Sequence, residues 1–218
     1  MKSIFRLALA SVLVVSLAHL SAGPASFNVA AKTPTVNVQQ SPKIASARVK
    51  GKKLIVTGAD FSSGAVLMIN GEKQKTKNDA ASPTTMLIVK KGGKKIRAGE
   101  VTSLRVENSG GALSNEFGFF DGPTVTLEDG DKTVTLRVGD RFLLFLKSPD
   151  RIWEVSAFDS AVIKKVADAT LIDGAQGVFE AVSRGQTELV AAGLLPCHKV
   201  DPPCMALTAG FVLKIVVE

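Results

Sequence analysis

One histidine lies between two cysteines in the stretch Cys197-His198 to Cys204, and this is where acid-base, thiol or metal chemistry would have to reside. The chain has only one other histidine, His19, in a leader-like segment, and no cysteine beyond this pair. A nucleophile needs a neighbouring base, and a metal centre needs more ligands than one imidazole and two thiols tied together. Glu128, Asp129 and Asp131 gather around Gly130, but the longer ligand series and distal bidentate acid of a calcium loop are missing. A polar hairpin turn joining Val125–Leu127 to Thr133–Val138 is expected there instead. No catalytic residue, metal or cofactor is therefore expected, and the chain is read as a non-enzyme.

The elements that carry these residues follow from hydropathy. Residues 1–25 have the plan of a signal peptide: Lys2 and Arg6, an apolar run from Leu7 to Leu20, then small residues. Cleavage after Ala22, Ala25 or Ala31 would each leave a small residue at the cut, and no later run is long enough to span a membrane. The expected location is secreted or extracytoplasmic, in a periplasm or at a cell surface. In such a compartment Cys197 and Cys204 are expected to form a disulfide. Residues 26–41 read as a linker, because Lys32 to Ser41 is polar, carries Pro34 and has no sustained pattern.

Beyond the linker, short runs alternate apolar and polar residues between turn signals. Leu54 and Val56, Leu67 and Ile69, Leu87 and Val89, Leu104 and Val106, and Phe117 and Phe119 mark successive strands, with Asn70-Gly71 favouring a tight hairpin. Val134 to Val138, Phe142 to Leu146, Trp153 with Val155, and Phe211 to Val217 continue the style. Val212 and Val216 predict that the last strand is covered on both faces. Residues 159–169 are read as strand or loop, because Val162, Ile163 and Val166 are β-branched. The fold class is all-β: two tandem immunoglobulin-like β-sandwich domains after a signal peptide, over residues 42–121 and 122–218, with a short hinge around Asp121-Gly122-Pro123. Charge divides at the same place, with fourteen Lys and Arg against seven Asp and Glu in 36–121, and ten against thirteen in 122–218.

Residues 42–120 resemble the IPT/TIG family of immunoglobulin-like domains. The likeness is carried by Pro42 and Ile44, the run from Leu54 through Gly58 to Phe61, Gly64 to Gly71, Leu104 to Gly111, and Ser114-Asn115. It implies a compact sandwich used as a spacer or binding unit. Gly58 would supply a permissive backbone, Phe61 would plug one end, and Gly110-Gly111 would turn the chain into the last strand. Residues 125–218 look like a more distant relative of the chagasin family, exported inhibitors of papain-type cysteine proteases that present three loops to the protease cleft. Ser148-Pro149-Asp150-Arg151-Ile152-Trp153 stands where the family carries Asn-Pro-Thr-Thr-Gly ahead of a tryptophan-bearing strand. Gly174-Ala175-Gln176-Gly177 stands in place of Gly-x-Gly-Gly, and Leu195-Pro196-Cys197 in place of Arg-Pro-Trp. The third loop keeps the proline and lacks both the cation and the indole.

These features give two functional readings. The first is an exported binding or adhesion module, secreted or associated with the envelope, with a protein or an anionic envelope polymer as partner. The second is an inhibitor of papain-like proteases working through Pro149, Gly177 and Pro196. Candidate loop residues are Pro149, Trp153, Gly174, Gly177, Leu195, Pro196 and His198, with Trp153 favoured as core. The loop from Leu194 to Leu207, stiffened by prolines and the bridge, is either a recognition surface or a pinned crossover. Lys73, Lys75, Lys77, Lys90, Lys91, Lys94 and Lys95 form a candidate basic rim, which would attract anionic surfaces or act as a solvated edge that blocks strand pairing. Lys73, Lys75 and Lys77 alternate as on one solvent-facing strand. Nucleic acid is not expected as a partner of an exported chain.

Overall fold

A computed structural model describes residues 40–167 and 169–218. The predicted signal peptide, its cleavage sites and almost all of the predicted linker lie outside the described residues. Every regular element among the described residues is a strand or a short 3-10 turn. β-Branched and aromatic residues at alternate positions favour a pleated, half-buried surface over helix.

Eight strands come from the first half: β1 (Lys43–Lys50), β2 (Lys53–Ala59), β3 (Val66–Ile69), β4 (Glu72–Lys73), β5 (Thr76–Asn78), β6 (Met86–Val89), β7 (Val101–Glu107) and β8 (Phe117–Phe120). They form two four-stranded sheets, in the orders β1-β2-β6-β5 and β4-β3-β7-β8. Leu54, Val56, Leu87 and Val89 of one sheet meet Leu67, Ile69, Leu104 and Val106 of the other in a single core. Asn70 and Gly71, both at positive φ, close the β3–β4 hairpin, as the residue pair predicts. Phe61 is buried within this core. Gly58 serves a different purpose from the one expected. Its φ is ordinary, but a Cβ there would overlap the Lys43 carbonyl oxygen and stand 2.7 Å from Phe61 Cζ, so the glycine permits close approach rather than an unusual backbone.

The second half supplies β9 (Thr124–Thr126), β10 (Thr133–Leu136), β11 (Arg141–Phe145), β12 (Ile152–Ala157), β13 (Ile163–Ala167), β14 (Gly177–Ala181), β15 (Gly185–Leu194) and β16 (Ala209–Val217). Their sheets have the orders β13-β14-β11-β9 and β10-β16-β15-β12. Phe142, Leu144 and Phe179 from one sheet pack on Leu189, Leu213 and Ile215 from the other. The architecture is that of immunoglobulin-like β-sandwiches. β16 is a central strand, yet Val212 and Val216 on its second face are only half-buried, so the predicted cover on both sides is incomplete.

The acidic stretch Glu128–Asp131 is not a hairpin turn. β9 pairs in parallel with β11, and β10 pairs in parallel with β16, so the chain crosses between sheets there through a 3-10 turn at Leu127–Asp129. The Asp129 carboxylate accepts the Thr126 backbone N–H at 2.9 Å and pairs with Lys132 Nζ at 3.1 Å. The Thr126 N–H first, and Lys132 second, hold its pKa below the ordinary carboxylate value. A depressed folded value means stabilisation present above the unfolded value and lost as pH falls through the folded one. Asp129→Asn should therefore cost at most about 1 kcal/mol near neutrality, kept small by solvent screening. The difference from the parent should shrink on acidification in urea titrations; a difference independent of pH would rule out this account.

Around Asp121-Gly122-Pro123, where a short hinge is expected, the two halves touch. Phe120 and Val101 pack with Leu143, Ile172 and Val178 in a third, smaller cluster, and Gly118 N–H donates to the Leu171 carbonyl at 3.2 Å.

Candidate functional site

Three connections of the second half meet at one end of its sandwich: residues 146–151 between β11 and β12, residues 169–176 ahead of β14, and residues 195–208 between β15 and β16. Each strand delivers its loop by ordinary pleating, and the loops are joined by side chains that reach across them.

Gln176 ties the second loop to the first. Its Oε1 accepts the Leu146 N–H at 2.7 Å, while its Nε2 donates to the Gly174 carbonyl at 3.0 Å. Lys147 and Asp173 add an ion pair at 2.5 Å across the same gap. Gly174 lies at φ +89, and a Cβ there would press within 2.8 Å of the Lys147 side chain, so glycine suits both the turn and the crossing.

Arg151 ties the first loop to the third. Its Nη1 donates to the Gly193 carbonyl at 3.0 Å and the Leu207 carbonyl at 3.2 Å. The guanidinium is thus committed to backbone carbonyls at the base of the loop, and a charged donor makes these bonds stronger than neutral ones. Lys199 and Glu154 form a further pair at 2.5 Å between the third loop and β12.

The third loop is braced internally. Cys197 and Cys204 are disulfide-bonded with Cα atoms 5.4 Å apart, and Cys204 N–H donates to the Cys197 carbonyl. His198 Nδ1 accepts the Leu195 N–H at 3.1 Å and Nε2 lies 2.8 Å from the Ala206 carbonyl. Both ring nitrogens are thus within hydrogen-bond reach of backbone groups of the same loop. His198 is consequently a strut, with both nitrogens engaged by backbone. Beyond the strut, Met205 is 99% and Leu207 87% exposed, and Val200, Pro196 and Pro149 also face solvent.

Trp153 lies beneath this end. It is buried, stacks edge-on against Phe211 at 6.5 Å, rests on Gly193, and donates Nε1–H to Ser148 Oγ at 3.3 Å. Its indole supports the loops from below and is not a tip. Gly177, at φ +153, starts β14 and is buried. Sequence reasoning missed Arg151, Gln176, Lys147 and Asp173. The available signal was their position inside the short segments that lead into Trp153 and that run from Asp173 to Gly177.

The expected basic rim divides. Lys73 sits on β4 and pairs with Glu107 at 2.8 Å, while Lys77 sits on β5 of the opposite sheet. Lys73, Lys75 and Lys77 therefore do not share one strand, because the chain changes sheets between Lys73 and Thr76. Lys95 pairs with Glu72 at 2.8 Å, and Lys94 lies in the 3-10 turn Gly92–Lys95. Lys75, Lys77, Lys90, Lys91 and Lys95 line one groove. No group of three or more His, Cys, Asp or Glu among the described residues is arranged to hold a metal, and no helix among them is long and apolar enough to cross a membrane.

The chain matches no family model and no curated protein. Among solved structures, it aligns with the cysteine protease inhibitor EhICP2 from Entamoeba histolytica at 12% identity and TM-score 0.35, over 44% of this chain and 94% of that one. It aligns with the solution structure of amebosin at 21% identity and TM-score 0.31, over 44% of this chain and 98% of that one.

Proposed function

We propose that the chain is an exported, non-enzymatic protein-binding module that acts through the three-loop end of its second sandwich, and that the surface it fits is the active-site cleft of a papain-like cysteine protease. Residues 122–218 form the binding domain in this reading, and residues 42–121, an IPT/TIG-type sandwich, carry it. The observation that carries the proposal is the bracing of three loops into one edge by Arg151 and Gln176, over a buried Trp153. A braced edge loses little conformational entropy when it enters a cleft. The resemblance of these loops to the chagasin pattern supplies the class of partner. Exposed Met205, Leu207 and Pro196 offer apolar contact in place of the absent tryptophan and arginine of the third loop.

The test is titration of papain and related proteases with the disulfide-bonded protein. Competitive inhibition with a constant below about 1 μM is expected. The double variant Met205→Asp, Leu207→Asp should weaken it by about 100-fold, and Arg151→Ala by about tenfold, with thermal unfolding midpoints of the loop variant unchanged. Absence of inhibition across the panel, or full inhibition by the double variant, would refute the proposal.

A further inference from the structure

The outer face of the β1-β2-β6-β5 sheet carries a concentration of cations that the loop-end function leaves unused. Register places Arg48, Ile55, Ile88 and Lys77 in one row across all four strands. Lys50 and Lys53 are opposite each other in the next row of the same face, toward the end of β6 where Lys90 follows and β5 where Lys75 precedes. Lys75, Lys77, Lys90 and Lys91, with Lys95 at one side, line a groove of about 550 Å³ whose floor includes Ile88.

The pairing of these charges sets the face apart. Lys73 and Lys95, directed at the other sheet, have carboxylate partners. Arg48, Lys50, Lys53, Lys75, Lys77, Lys90 and Lys91 have none within 4.0 Å among the described residues. Edge protection explains a lysine on β5, which ends the sheet. It does not explain Lys53 and Lys90 on β2 and at the end of β6, both interior strands.

We infer that this sheet face binds a linear acidic polysaccharide, sulfated or uronate-bearing, laid across the strands. Strands about 4.8 Å apart, with same-face residues about 7 Å apart along each, present cations as a two-dimensional array. A polymer with an anionic group on each repeat can engage several such cations at once and release its counterions. A membrane surface is disfavoured because Ile55 is buried and Ile88 half-buried, leaving no apolar side chain to insert above the lysine heads. Nucleic acid is disfavoured because the face carries no aromatic ring for bases to stack on, and the only tryptophan is buried in the other sandwich. The inference is independent of the loop-end proposal.

The experiment measures retention on, and calorimetric affinity for, heparin as a sulfated probe and a polyuronate as a carboxylate probe, across salt concentrations. Lys75→Gln, Lys77→Gln, Lys90→Gln together should weaken binding by about tenfold or more and flatten its salt dependence. A charge-matched control, Lys164→Gln, Lys165→Gln, Lys214→Gln, on the second sandwich, should stay within about twofold of the parent. Equal loss in both variants would reduce the effect to general basicity and overturn the site. Tighter binding to phosphatidylserine vesicles or to an oligonucleotide than to either polysaccharide would overturn the ligand class, and absence of binding to both probes at low salt would overturn the inference altogether. Inhibition of papain, followed in the same samples, should not change in either variant.

Discussion

Phe179→Ala is expected to lower the free energy of unfolding by about 3–5 kcal/mol, the range for truncating a fully buried phenylalanine. Phe179 is wholly inaccessible to solvent and sits on β14, an interior strand of its sheet. It is the direct cross-strand partner of Phe142, and the two rings stack at 5.6 Å with an 18° interplanar angle. Phe158 closes the other side edge-on at 5.4 Å. Truncation removes both aromatic contacts and leaves a void between two sheets, each held stiff by its own hydrogen bonds, so collapse refills it only in part. The site is also coupled to the loop end, because Gln176 immediately precedes the buried run that begins at Gly177. Urea unfolding followed by the fluorescence of the single tryptophan, Trp153, reports both effects. Phe179→Leu should lose much less, since most of the volume remains. A loss below about 1 kcal/mol for the alanine variant would mean that the core in this region is loosely packed.

Gly58→Ala is expected to destabilise by about 2–3 kcal/mol, opposite in sign to the usual effect of replacing a strand glycine. Nothing about its φ opposes a side chain. The obstacle is spatial: the added methyl would overlap the Lys43 carbonyl oxygen where Ile44 pairs with Gly58, and it would also crowd Phe61. A backbone oxygen cannot rotate away as a flexible side chain can, so β1 must shift from β2 or Phe61 must leave its rotamer. The register is already irregular between Ile44 and Ser46, which locates the shift. Gly210→Ala is the matched comparison, because a Cβ there meets nothing within 4 Å and the φ is permissive. It should gain up to about 0.5–1 kcal/mol. Thermal midpoints of the two variants should therefore move in opposite directions by several degrees; a neutral or stabilised Gly58→Ala would disprove the close approach.

Strand positions were readable because alternation reports which side of a strand is buried, and Leu54, Leu67, Leu87, Leu104 and Leu213 are all fully buried. The Asn70-Gly71 turn was readable because it is local chemistry. Strand partners were less so. The crossing at Glu128–Asp131 looked like a hairpin since β9 and β10 are adjacent in sequence, whereas their parallel partners, β11 and β16, are set by which core each must cover. The change of sheet between Lys73 and Thr76 was hidden for the same reason: alternation continues through the crossing. At the loop end, the proline, glycine and cysteine positions stand out from the sequence. The side chains that brace those loops do not, because Arg151 reaches residues 42 and 56 positions away and Gln176 one 30 positions away. Nothing in the local sequence records such distant partners.

β16 is the last of the strands to be delivered, yet it occupies the middle of its sheet, flanked by β10 and β15. Until β16 is in place, β10 and β15 lack the neighbour that joins them, so this sheet is completed only by the segment furthest along the chain. The first sandwich has no such dependence on late-arriving chain and can settle early. The connection between β15 and β16 leads directly into that closing segment, so the shared edge of the three loops depends on the seating of β16 between β10 and β15.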